Sequence, residues 1–295
     1  MKEQAITTTV NKVLIPITLT DEGRTVIQRA VNFHNRYDCE VTLLLSVDEE
    51  SELPDWLSQF FQNRSALLPA EDQLRMFVCD NLKEYRVPEY MHLVVIPGSI
   101  MTGVKRVQQK DPHDLLLLNK RLVTDPNAQS LWENNIKLII QEACCPVLTY
   151  AGGNNPIQAS KILLPIDLFQ PYRGKLIWAE RLAHAYSADV HIVSAIKNTL
   201  VLEETSVYRK IKEARFHLEE SGIKTETTIL MEQEGKTINQ MIPEFINATK
   251  ADLTVLMTHQ ESIFDFNYIG RVASEVILQT DTPIFCIAPE KYSIF

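Results

Sequence analysis

Lys12-Val-Leu-Ile-Pro-Ile-Thr18 returns as Lys161-Ile-Leu-Leu-Pro-Ile-Asp167, a shift of 149 residues (161 − 12). Each run is short, apolar and rich in β-branched residues, the pattern of a strand covered on both faces. At the same shift Glu40-Val-Thr-Leu-Leu-Leu-Ser-Val47 returns as Asp189-Val-His-Ile-Val-Ser-Ala-Ile196. Further on the shift shortens. Gly98 matches Gly235, and Pro146 of CCPVLTY matches Pro283 of DTPIFCI, both at 137. The first copy therefore carries an insert of about a dozen residues between its second and third strands. It is expected within Glu50–Asp72, which contains LPDWLSQFF.

Between the strands, apolar residues recur at helical spacing: Val26, Ile27, Ala30, Val31 and Phe33 in the first copy, Leu176, Ile177, Ala179, Leu182 and Ala183 in the second. Strand two is expected at 41–47 and 190–196, and a charged helix near 72–86 and 204–221, with Gly222 as its C-cap in the second copy. Strand three follows at His92–Ile96 and Lys224–Leu230, and Gly98 and Gly235 each open a helix. Strand four is expected at Leu115–Leu118 and Leu253–Met257, a last helix at 128–143 and 267–279, and strand five at 146–150 and 283–288. This alternation predicts two tandem α/β domains, each a five-stranded, doubly wound parallel sheet with right-handed crossovers. The expected domains are 1–151 and 156–295, joined by the turn-rich stretch Ala151-Gly-Gly-Asn-Asn-Pro156. A chain of 295 residues suits two domains.

The net charge of −9 and the pI near 5.4 disfavour a nucleic-acid partner, because an acidic surface repels phosphates. MKEQAITTTVNK has no apolar core of a signal peptide, and no apolar run is long enough to span a bilayer. A cytoplasmic protein with no membrane partner is expected. Five cysteines without a CxxC pair fit a reducing compartment. Cys144-Cys145 is expected on an apolar strand, as inert buried thiols or as a redox pair.

Chemistry is sought at the carboxyl ends of the strands, where parallel sheets bind ligands. No GxGxxG follows strand one; only Gly23 and Gly174 stand there. Gly235-Lys236-Thr237 resembles the end of a P-loop, but position 230 is Leu and the triplet follows strand three, so a helix start with Thr237 in its first turn is the simpler reading. Asp167, at the end of strand one, could accept a bond from a ligand base or ribose, or cap the next helix. Thr18 takes its place in the first copy. The seven histidines form no HxxxH or HExxH pattern, so no metal site is expected, and no GxSxG elbow occurs. Trp56, Phe60 and Phe61 in the insert read as a core flap or a partner contact.

The order K-[VI]-L-[IL]-P-I-[TD], first helix, second strand and late [AT]-P-[VI] strand, present twice, resembles the universal stress protein family. The resemblance covers nearly the whole chain and implies the adenine-nucleotide alpha-hydrolase-like architecture. In nucleotide-binding members a loop after strand four, G-x2-G-x9-G-[ST], cradles ATP phosphates through backbone N–H groups and a helix N-terminus. An aspartate ending strand one binds near the base. On that pattern Met257-Thr258-His259-Gln260 occupies G-x2-G, and Gly270-Arg271 falls where G-[ST] is expected. In the first copy Lys120 and Glu133 fall at the matched glycine positions. The resemblance thus implies a degenerate nucleotide site made of Asp167, His259, Gly270 and Arg271. Lys120, Arg121 and Arg271 read as solvated charges or as a reshaped anion site.

Three functions follow. The first is a non-enzymatic stress-response protein, without a cofactor, acting through an unidentified protein partner or a ligand other than ATP. The second is an ATP-binding switch with only the second domain competent. The third is an enzyme on a related nucleotide-binding fold, which no nucleophile or acid–base pair supports. Members of the family commonly pair through their last strands. Here Pro146–Tyr150 and Pro283–Ala288 can pair within one chain, and a further homodimer stays open.

Overall fold

In the computed structural model, strands and helices alternate as the periodicity predicts. The described residues are 10–47, 70–120, 129–152, 158–166, 172–196, 204–232, 235–258 and 271–287. The first half runs β1 (Lys12–Ile17), α1 (Asp21–Tyr37), β2 (Glu40–Val47), α2 (Ala70–Leu82), β3 (Met91–Pro97), α3 (Ile100–Lys110), β4 (Leu115–Asn119), α4 (Gln129–Glu142) and β5 (Val147–Tyr150). The second runs β6 (Lys161–Pro165), α5 (Arg173–Tyr186), β7 (Asp189–Ile196), α6 (Glu204–Glu220), β8 (Thr225–Met231), α7 (Ile238–Thr249), β9 (Leu253–Met257), α8 (Arg271–Gln279) and β10 (Ile284–Ile287).

Within each half all paired strands are parallel, in the order β3-β2-β1-β4-β5 and its mirror β10-β9-β6-β7-β8. β5 and β10 then pair antiparallel, with Phe285 opposite Leu148, so ten strands make one sheet. Successive strand residues face opposite sides. Val13, Ile15 and Ile17 join a core layer with Val26, Leu74, Leu176 and Leu218 of α1, α2, α5 and α6. Leu14, Leu116 and Leu118 join the opposite layer with Val104, Ile136, Ile242 and Val276 of α3, α4, α7 and α8. Helices on both faces are what a doubly wound sheet requires.

The repeated proline in β1 and β6 has a structural reason. β1 pairs with β4 only at Val13 and Leu14, and β6 with β9 only at Ile162 and Leu163. Pro16 and Pro165 lie beyond these last rungs, where a missing N–H costs no bond to that neighbour. Pairing with that neighbour ends there, at the carboxyl ends, the place where a doubly wound sheet has its crevice. Gly23 is needed at the mouth of the first crevice, because a Cβ on it would collide with the carbonyl oxygen of Thr18. At the end of α6, Gly222 adopts φ 78° and Ile223 N–H donates to Leu218 O at 3.0 Å, the C-cap expected from sequence.

The sheet register refines the repeat. Val41 pairs with Met91 and Val190 with Thr225, so the third strands are related by 134 (225 − 91). The first copy is therefore longer by 15 (149 − 134) between its second and third strands. The fourth strands are related by 138 (253 − 115), because Val13 pairs with Leu115 and Ile162 with Leu253. The second copy is thus four residues longer (138 − 134) after its third strand, and Gly98 and Gly235 are not equivalent. The insert with Trp56, Phe60 and Phe61 lies outside the described residues. Cys144 and Cys145 stand in the turn between α4 and β5, not on a strand; Cys144 is exposed and Cys145 half-buried.

Candidate functional site

In the first half the carboxyl ends of the strands are closed by the chain's own side chains. Arg29 of α1 is buried, its guanidinium 4.0 Å from the centre of the Tyr150 ring, and its Nη2 donates to Gly152 O at 3.2 Å. Gly152 N–H donates to Asn119 Oδ1 at 3.4 Å. Burial lowers the Arg29 pKa and raises that of the Tyr150 phenol, and the pair opposes both shifts. Thr18 and Thr20 join hydroxyls at 2.8 Å where the second copy has a carboxylate in sequence.

Lys120, expected at a glycine position and read as a solvated charge or as part of a reshaped anion site, is none of these. Asn119 stands opposite Tyr150 as Met257 stands opposite Ile287, so Asn119 is the residue equivalent to Met257. Lys120 is 4% exposed and donates from Nζ to Thr280 O of the other half at 2.7 Å. Burial pulls its pKa down to about 8, against the opposing pull of Cys286 and Asp281. It is a buried tie between halves and presents no ammonium to an anion in solvent.

In the second half the same ground is partly filled. Met257 reaches the start of α5, where a Cβ on Gly174 would lie 3.1 Å from its Cε. Thr258 is buried and donates its N–H and its hydroxyl to Ile287 O, at 3.0 and 3.2 Å. Lys175 is buried and donates from Nζ to Pro165 O at 3.1 Å. Gly235-Lys236-Thr237 is a helix start. Thr237 is the N-cap of α7, its N–H donates to Gln240 Oε1 at 3.0 Å, and Lys236 pairs with Glu244 at 2.7 Å.

Asp167, His259, Gly270, Gln260 and Arg121 lie outside the described residues, and so do the side chains of Arg271 and Glu133, though Arg271 opens α8. The structure therefore leaves the proposed remnant site as an expectation. The described histidines with local partners include His34 on Cys39 O, His113 on Thr42, His191 on Thr228 and His217 on Glu180. Among the described residues no group of three or more His, Cys, Asp and Glu side chains could hold a metal ion, and no helix is long and apolar enough to cross a membrane.

Sequence reasoning anticipated the pairing of the last strands, β5 with β10, but missed the contact between α1 and α5 that accompanies it. Tyr37 donates its hydroxyl to that of Tyr186 at 2.6 Å, and the Arg36 guanidinium lies 4.7 Å from the centre of the Tyr186 ring. The two tyrosines are 149 residues apart, the repeat shift itself. An identical residue at one repeat position is the signal that could have revealed contact across a twofold axis.

Two mirrored doubly wound sheets, joined at β5 and β10, define a tandem α/β protein. Residues 159–288 match the Universal stress protein family. A search among curated proteins finds no match. Solved structures resemble nearly the whole chain. A protein of unknown function from Pseudomonas aeruginosa has TM-score 0.62 and 19% identity, over 96% of this chain and 94% of that one. A universal stress protein from Archaeoglobus fulgidus has TM-score 0.62 and 11% identity, over 96% and 98%. The cytoplasmic domain of a prokaryotic cation chloride cotransporter has TM-score 0.51 and 14% identity, over 94% of each. At these identities the likeness is one of fold.

Proposed function

We propose that the chain is a non-enzymatic, cytoplasmic, tandem universal stress protein, with domains at 1–151 and 156–295, that acts in the stress response through protein contacts or a ligand other than ATP. The observation that carries this reading is the occupation of strand ends by side chains. Met257 packs on Gly174 in one half, and Arg29, Tyr150 and Asn119 close the other. A phosphate loop needs backbone N–H groups free of such side chains. Charge-assisted bonds to phosphate contribute about 1.5–3 kcal/mol each, so losing several removes most of the roughly 8 kcal/mol of a micromolar affinity.

The second reading is an ATP switch confined to 156–295. It is favoured by Asp167 and by Gly270, which keeps its place in the family's loop pattern. Calorimetric titration with Mg-ATP, and with ATP alone, separates the two. Absence of heat under conditions that reveal micromolar binding supports the first reading. A one-to-one isotherm lost in Asp167→Ala and Arg271→Ala would establish the second.

A further inference from the structure

Where the halves join, on the face covered by α1 and α5, lies a partly open cavity of ≈ 420 Å3. Its walls repeat. Phe33 and Leu182, Tyr37 and Tyr186, and Leu148 and Phe285 hold matching positions of the two copies, and all six line it. The cavity therefore sits on the approximate twofold axis. It is also lined by the first residues of β4 and β9, which places it at the amino ends of those strands, away from the crevices.

Protein interiors are close-packed, and voids of this size in an apolar wall accept apolar molecules. Ligand sites usually measure about 300–1,000 Å3, with an apolar lining and a few polar groups that fix orientation. Here the symmetry breaks at two positions. Trp178 stands where the first copy has Arg29, and Arg181 where it has Asn32. Trp178 leans on Phe285, ring centres 5.1 Å apart, and the Arg181 guanidinium is 5.2 Å from the Trp178 ring centre. Arg181 lines the cavity, is half-buried and has no carboxylate partner among the described residues. Asp114, also in the wall, holds its Oδ2 on the N–H groups of Asn11 and Lys12 at 2.8 and 3.0 Å. Among the described residues the wall thus offers an apolar chamber and, in Arg181, a cation stacked on Trp178 with no carboxylate partner.

We propose that this axial cavity binds a small amphipathic carboxylate, its apolar body between the Tyr37–Tyr186 pair and the sheet, and its carboxylate on Arg181. Cys145 in the wall takes no covalent part, because burial pushes its pKa up to about 12 and keeps the thiol protonated. The proposal goes beyond the stress-protein reading and does not depend on whether nucleotide binds at the strand ends.

The test is titration of the full chain with decanoate and with decanol, followed by calorimetry and by Trp178 fluorescence in a Trp56→Phe, Trp132→Phe background. One-to-one binding is expected, with decanoate about tenfold tighter than decanol. Arg181→Gln is expected to erase that difference, and Ala185→Trp, at an exposed wall position, to block both ligands. Melting curves confirm that each variant folds. Saturating ATP is expected to leave decanoate binding unchanged, so failure of this proposal is distinguishable from failure of the reading above. Absence of decanoate binding up to about 1 mM overturns the proposal. So does equal affinity for decanol, or binding that Ala185→Trp leaves intact. Binding that appears only after removal of residues 1–9 would mean the chain fills its own cavity, and overturns it too.

Discussion

Lys120 carries the most direct pH signature. Its folded pKa is about 8 against an ordinary 10.5, so between these values the unfolded chain binds one more proton than the folded one. Stability from this residue therefore rises as pH goes from 8 to 10.5, and the cost of burying the ammonium is fully present below pH 8. The shift corresponds to about 3 kcal/mol in order of magnitude. Cys39, Cys145 and Cys286 act oppositely. Burial raises them to about 11, 12 and 12 from 9.0, so their contribution falls as pH rises above 9. Comparison with Lys120→Met isolates the lysine. In urea melts, the variant's stability relative to the parent is expected to be greatest near pH 7 and to shrink by about 3 kcal/mol toward pH 10.5. A difference that stays constant across that range would refute it. None of this was legible in Leu-Leu-Leu-Leu-Asn-Lys, because the partner, Thr280, lies 160 residues away on the other half. Arg29 was hidden for the same reason, since its helix reads as amphipathic whether or not a guanidinium is turned inward.

Elements were far more legible, because they rest on local periodicity. The unbroken apolar run of β1 marks a strand buried on both faces, and the helical spacing of Val26, Ile27, Ala30 and Phe33 specifies one burial face. Boundaries between elements were less so. The first copy's insert was underestimated and the lengthening after β8 went unseen, because loop lengths leave no periodic trace. One device joins elements identically in both copies. Asp114 holds the start of β1 through the N–H groups of Asn11 and Lys12, and Asp252 holds the start of β6 through those of Ser160 and Lys161, both at 2.9 Å, and the Ser160 hydroxyl. Asp252→Ala is expected to lower stability by about 1.5–3 kcal/mol, the range for hydrogen bonds to a charged group. Asp252→Asn, which keeps an acceptor, should recover part of it. Denaturant midpoints at constant slope check both.

At the scale of the molecule, one core layer runs without interruption from Val26 and Ile27 through Leu148 and Phe285 to Leu176 and Leu218. The halves are therefore expected to unfold together. Ile27→Ala, a fully buried truncation in the first half, should cost about 2–5 kcal/mol. It should also lower the midpoint reported by Trp178 in the second half, in the background lacking Trp56 and Trp132. A Trp178 transition that stays at the parental midpoint would mean the halves melt separately. The antiparallel junction of β5 and β10 has one more consequence. In a pair of identical subunits, any residue beside the axis meets its own copy, so an arginine at position 181 would bring two like charges to one chamber. Covalent fusion removes that constraint. Asn32 replaces the second arginine and Arg29 the second tryptophan, so a twofold fold gains a one-sided interior, with a distinct head and tail for whatever enters it.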